Sequence, residues 1–381
     1  MPEYGNFPFG LSQKDEARAA RLHRDSIVVD MVHQGPFSPD VWTDELRAEL
    51  PDGAGYLEAS GFLMEKALRG EFDEFHCLAD ASGATTMLTG CVLENAQGVL
   101  EAAADTARML AAFDWLRPAR RADDIRAAHA EGGHALVGQC QLNLVRPGDI
   151  DLLDQAAALG VAHTVDCAYN TATFIGSGCT EKNDAGLSAF GNTFVDRCNK
   201  IGVIVDTAHS GPRTTIDACA RSKAPVVATH TSAAALYDCD RAKSDEELQA
   251  IAATGGVIGV FCMPFFLAGI GTEPAPTIEL ALDHIDYVVR LVGVEHVGIG
   301  TDWPLALPAD VLAQTLLPMA MSTMGFRPEH QLDVASTLEG FRDPRDLINI
   351  TRGLVARGYP DQQVEMILGG NFLRVFEQVV G

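Results

Sequence analysis

No run of about 18 consecutive apolar residues occurs in the chain, so no segment is long enough to cross a bilayer as a helix. The opening residues 1–24 are polar and carry no hydrophobic signal segment, so a soluble, cytoplasmic protein is expected. Basic residues are scarce: 28 Lys and Arg stand against 52 Asp and Glu, a formal charge of −24. A field of that sign repels phosphate backbones and anionic lipid, which argues against nucleic-acid and membrane partners. Cys-x-x-Cys pairs are missing as well, which argues against a structural zinc site. The nine cysteines are scattered, most of them in apolar runs such as Gly259-Val260-Phe261-Cys262. They read as small core residues of a reducing compartment rather than as a disulfide framework.

What the chain does have is apolar content, 47% over 381 residues, enough for a large core. Eight short apolar, β-branched runs recur, at 26–31, 85–90, 135–142, 163–167, 202–207, 225–229, 256–262 and 296–301. Near-continuous runs of this kind suit parallel strands covered on both faces. Helical patterns lie between them, at 151–159, 214–221, 244–253 and 277–292. The third opens with Ser244 and has Glu247 three residues on, a capping box. The fourth carries Ile278, Ala281, Leu282, Ile285, Val288 and Val289 along one face. Eight such units predict one α/β domain over 1–381, a (β/α)8 TIM barrel with extra N-terminal and C-terminal helices. The stretch 32–84 reads as extra helices or a lid. Residues 170–191, rich in Gly, Ser, Thr and Asn, read as an active-site loop, and 343–380 as two outer helices.

Catalytic groups of such barrels come from the C-terminal ends of the strands. The fifth run leads into Asp206-Thr207-Ala208-His209, the sixth into Thr229-His230-Thr231, and the eighth into Gly300-Thr301-Asp302. Two imidazoles and a carboxylate thus meet at one rim. Neutral imidazole nitrogen and carboxylate oxygen are the usual ligands of Zn2+ and related ions, and three ligands plus a water is the arrangement of a catalytic zinc.

Several separated stretches resemble the membrane (renal) dipeptidases of the amidohydrolase superfamily. They are Asp206-Thr207-Ala208-His209, Ala228-Thr229-His230-Thr231-Ser232-Ala233, Arg241, Gly255-Gly256-Val257-Ile258-Gly259-Val260, His284-Ile285-Asp286-Tyr287, His296-Val297-Gly298-Ile299-Gly300-Thr301-Asp302 and Gly369-Gly370-Asn371-Phe372-Leu373-Arg374-Val375. The resemblance implies that His209 and His230 bind one metal of a pair and that Asp302 handles the proton of the attacking water. It also implies that Arg241 grips a substrate's terminal carboxylate, a task suited to a planar fork of donors. A homodimer is implied too.

The sequence departs from the family's pattern at four places. The family's His-x-Asp pair after strand one falls on Val32 and Gln34; His33 is one residue out of phase and becomes a ligand only if the chain bulges there. The bridging glutamate is replaced, Gln141 being the best match, and a neutral amide bridges two cations poorly. Tyr169 stands where some members place a carbonyl-polarising histidine, with Asn170 beside it as a further substrate contact. After Asp302 the chain reads Trp303-Pro304, where the family more often has a phenylalanine followed by Asp-Gly. The expectation is one Zn2+ or other divalent ion per chain, activating water for attack on a small amide. The alternatives are a lyase, isomerase or oxygenase on the same barrel, and a non-catalytic binder of small molecules.

Overall fold

Strands made of unbroken apolar runs need cover on both faces. In the computed structural model, which describes residues 4–33, 35, 37–269, 271–302 and 307–381, they receive it. Seven parallel strands form one curled sheet: β1 (Thr86–Gly90), β2 (His134–Cys140), β3 (Thr164–Asp166), β4 (Ile204–Asp206), β5 (Val226–Ala233), β6 (Ile258–Val260) and β7 (Val297–Ile299). Each pairs with the next in the chain. Two short strands branch off this path, Leu116–Pro118 pairing with β2 and Ala242–Lys243 with β5. Every residue of β2 through β7 is buried, as parallel strands under helices require.

Helices return the chain between strands, among them Asp151–Leu159, Ala189–Ile201, Pro212–Arg221, Asp245–Ala253 and Ile278–Val292. The capping box read at Ser244 forms: its side chain accepts from the Glu247 N–H, and the Glu247 carboxylate accepts from the Ser244 N–H. Side chains such as Phe194 and Phe261, fully buried in the main cluster, each contribute roughly 1.5–3 kcal/mol.

The first of the eight runs, 26–31, forms no regular strand. Two of its donors go elsewhere: Val28 N–H to Thr85 Oγ1 and Val29 N–H to the Leu368 carbonyl. The segment still touches both ends of the curled sheet. Met31 N–H donates to Ile299 O at 2.8 Å on one side; on the other, Val28 O and His33 O accept from Thr85 N–H and Leu88 N–H at 2.7 and 3.1 Å. Seven strands and an irregular eighth segment therefore replace the eight regular strands expected.

The long insertion between runs one and two forms three helices, Asp44–Glu49, Tyr56–Leu68 and Glu74–Ser82. A second apolar cluster, with Trp42, Phe72, Phe75, Leu312 and Leu316, ties them to the helix Ala309–Thr323. At the other end Gln13–Asp25 packs on Ile348–Ala356, and a helical run over 361–379 with a π turn at Met366–Gly370 closes the chain. All nine cysteines are free and six are buried. Among the described residues no helix is long and apolar enough to cross a membrane.

Candidate active site

The C-terminal ends of β4, β5 and β7 set the site. His209 follows β4 by three residues, His230 lies inside β5, and Asp302 follows β7. The register between β5 and β6 shifts between Ala228 and Thr231, a bulge that brings the Thr229 carbonyl close to two glycines. A Cβ would stand 1.8 Å from that oxygen at Gly300 and 2.0 Å from it at Gly259, so no side chain fits at either position. Asn170 and Asp302 hold left-handed backbone angles, φ 59° and 51°, a conformation these two residue types tolerate better than most.

The two imidazoles meet tip to tip. His209 Nε2 and His230 Nε2 are 2.9 Å apart, and both rings are buried. Their far nitrogens decide what those tips carry. His209 Nδ1 lies 2.8 Å from Asn170 Oδ1, which also accepts from Cys179 Sγ, so Nδ1 holds the proton. His230 Nδ1 lies 2.9 Å from Thr229 Oγ1, whose own hydroxyl donates to Asp206 Oδ2. That hydroxyl has only lone pairs left for His230, so Nδ1–H is the donor there too. Both Nε2 atoms therefore present lone pairs to one another at hydrogen-bond distance. Such an arrangement is repulsive unless a cation or a proton is shared between them.

The surroundings keep both rings neutral. Burial, and then the Arg241 charge, push His209 and His230 well below the ordinary imidazole value. Arg241, itself buried, donates from Nη1 to the Ala208 carbonyl and holds Nη2 3.4 Å from His209 Nε2, with the Phe261 and Phe266 rings 5.3 and 5.8 Å from its guanidinium. Asp302 Oδ2 stands 3.9 Å from His230 Nε2. The Tyr169 ring lies 4.1 Å from that of His209, centroid to centroid, and its hydroxyl faces Met324 Sδ at 3.9 Å. Burial and the Asp302 charge raise the Tyr169 phenol, which stays protonated.

These groups open on one cavity of about 90 Å3. Its polar lining is Tyr56, Gln141, Tyr169, Asn170, His209, Arg241 and Asp302; His230 sits behind His209. The apolar wall comes from the 263–266 turn and from 316–334, including Phe266, Met324 and Phe326. Tyr56, on the insertion, was not singled out from the sequence. Its phenol is raised by burial and by Tyr169 and Asp302, which places those three groups together. Asp166 and Asp206 were missed as well. They are register partners at the ends of β3 and β4, both buried, and Asp166 has neither carboxyl oxygen hydrogen-bonded. Burial and then the Asp206 charge push Asp166 well up. Lys243, also missed, donates to Ser210 O and Thr215 Oγ1 and pairs with Glu247 at 3.0 Å, anchoring the loop after His209.

His33 is not brought to this cavity. Its Nδ1 is 4.0 Å from Asp30 Oδ2 and its Nε2 has no partner; burial lowers this imidazole, with the Asp30 charge opposing. Asp30 in turn accepts from Thr301 N–H, Thr301 Oγ1 and Val32 N–H. Gln141 donates to Gln139 Oε1 at 3.3 Å. Gln34 and the Trp303-Pro304 pair lie outside the described residues. Among the described residues no group of three or more His, Cys, Asp and Glu side chains is arranged to hold an ion. The pair of converging lone pairs is nonetheless a donor set that fits one.

A sequence profile of the membrane dipeptidase family, peptidase family M19, matches residues 16–313. The chain belongs to that family. An uncharacterised dipeptidase of Schizosaccharomyces pombe is 36% identical over 155 residues, 40% of this chain and 37% of that protein. The chain spans about 37 to 60% of the length of the first curated relatives it matches. Among solved structures, an amidohydrolase from Pseudomonas aeruginosa superposes with a TM-score of 0.73 at 26% identity, covering 95% of this chain and 98% of that one. A metallo peptidase from Rhodobacter sphaeroides, liganded with a phosphinate mimic of the dipeptide L-Ala-D-Ala, gives 0.63 at 19% identity over 93% of this chain and 99% of its own.

Proposed function

We propose that the chain is a metal-dependent hydrolase of a small amide bearing a carboxylate, a dipeptide being the family's default substrate. The observation that carries this reading is the His209–His230 contact, two Nε2 atoms 2.9 Å apart beside Asp302, each ring with its far nitrogen already hydrogen-bonded. His209 and His230 would hold one divalent ion, Zn2+ or a similar one. When bound there, such an ion supplies Lewis-acid chemistry, lowering the pKa of water and polarising a carbonyl.

The chain's own residues supply the rest. Asp302 Oδ2 accepts the proton of the attacking water. Tyr169 donates to the scissile carbonyl: a thioether at 3.9 Å is a weak acceptor, readily displaced by a substrate oxygen. Arg241 offers its fork to the carboxylate, and Gln141 and Asn170 line the same space. One ion is proposed rather than two, because His33 is not in the cavity lining, Asp30 is occupied by Thr301, and Gln141 stands where a bridging carboxylate is needed. In the same reading, segment 28–33 closes the curled sheet into a barrel that works as one unit.

Those missing donors also favour a second reading, a different reaction on the same barrel. Turnover of a dipeptide panel by protein loaded with Zn2+, Mn2+ or Co2+ decides between them. Hydrolysis of free-carboxylate dipeptides is expected; no turnover across the panel with any ion would remove the hydrolase.

A further inference from the structure

We infer that Asp206 is a positioning residue: acting through Thr229, it fixes which nitrogen of His230 carries the proton and so turns the Nε2 lone pair toward His209. The inference deepens the metal-site reading and rests on it only for the consequence, not for the relay itself. The relay has three links. Asp206 Oδ1 accepts from two backbone donors, Thr229 N–H and Ala208 N–H, each at 3.0 Å. These hold the carboxylate in place, with Oδ2 against Thr229 Oγ1. Burial raises Asp206, and the donors from Thr229 and Ala208 oppose that by favouring the carboxylate, whose oxygens only accept, so the threonine hydroxyl donates to it. Its oxygen then accepts from His230 Nδ1–H at 2.9 Å, and Nε2 is left bare. All four groups are buried, so no bulk water offers either nitrogen another partner. The same logic works on His209 through Asn170, but with a single link.

The relay makes a prediction that packing alone does not. In Asp206→Asn, Oδ1 still accepts the two backbone N–H groups, which places the amide Nδ2 against Thr229 Oγ1. That oxygen now receives a hydrogen bond, and its own proton swings to His230 Nδ1. The imidazole must then carry its proton on Nε2, where it blocks the lone pair. Nitrogen-15 NMR of the metal-free full-length protein at neutral pH reads the tautomer directly. The Nδ1–H form of His230 is expected in wild type and in Thr229→Ser, and the Nε2–H form in Asp206→Asn. Zinc titration by calorimetry should show a 10–100-fold loss of affinity in Asp206→Asn and near wild-type affinity in Thr229→Ser. If Asp206→Asn does not fold, Thr229→Val serves in its place: without the hydroxyl, the His230 Nδ1–H signature should be lost while Thr229→Ser keeps it. An unchanged His230 tautomer in Asp206→Asn, or in Thr229→Val where that variant stands in, overturns the relay. A wild type that binds no zinc overturns the metal reading instead, because the tautomer is read without metal.

Discussion

Two corners of the same rim differ in what backs their histidines. At the β4–β5 corner each imidazole has its far nitrogen bonded, His209 to Asn170 and His230 to Thr229, and both near nitrogens converge. At the corner formed by residues 30–33, His33 has one nitrogen 4.0 Å from Asp30 and the other with no partner. All three rings are buried. Burial is common to all three, so what separates them is a bonded far nitrogen that sets the tautomer, the usual support of a metal-binding histidine. In the proposed reading, the family's two-metal pattern survives at the first corner and not at the second.

The strongest way to break the comparison is at the intact corner. His230→Ala should abolish metal uptake and lower kcat/KM by about 1,000-fold or more, on the order of 4 kcal/mol, checked by metal analysis and steady-state kinetics. Metal content equal to wild type would remove His230 from the site.

The next effect concerns buried imidazoles away from the rim. Burial depresses His23 and His163 to about 4. Their folded values lie below the unfolded value near 6.5, so their contribution is complete above that pH and is lost as pH falls toward 4. Denaturant titrations should show stability falling across that window, by about 3 kcal/mol for each group. A flat profile from pH 7 to 4 would contradict it.

Arg241 belongs to the intact corner by its bond to Ala208 O and its contact with His209. Arg241→Met should weaken binding of a free-carboxylate dipeptide by roughly 1.5–3 kcal/mol and leave the C-terminally amidated peptide little changed. Equal losses for both would show that the arginine acts on the fold and not on the carboxylate. The smallest effect is expected at the dismantled corner. His33→Leu removes an unpartnered buried nitrogen, so metal content should stay the same and Tm should stay level or rise by a few degrees. A loss of metal would return His33 to the ligand set.

Much of this was legible in the chain. Seven of the apolar runs carry strands because each is apolar enough to be buried on both faces, and the residues after those runs, His209, His230 and Asp302, come together for that reason. The run at 26–31 reads the same in composition, yet the amides of Val28 and Val29 go to Thr85 Oγ1 and the Leu368 carbonyl, partners that no local pattern reveals. Tyr56 was hidden in an insertion whose helices carry no chemical motif, and the apolar wall at 316–334 comes from a region without periodic signal. Asp166 and Asp206 could have been found: each is an acidic residue next to the end of its apolar run, and they close neighbouring strands.

The claim under all of this is that two imidazoles share one cation. Crystals grown with Zn2+ and measured at the zinc edge test it most directly. One anomalous peak per chain, bonded to His209 Nε2 and His230 Nε2, is the predicted result. Two peaks, or none at that pair, would contradict it.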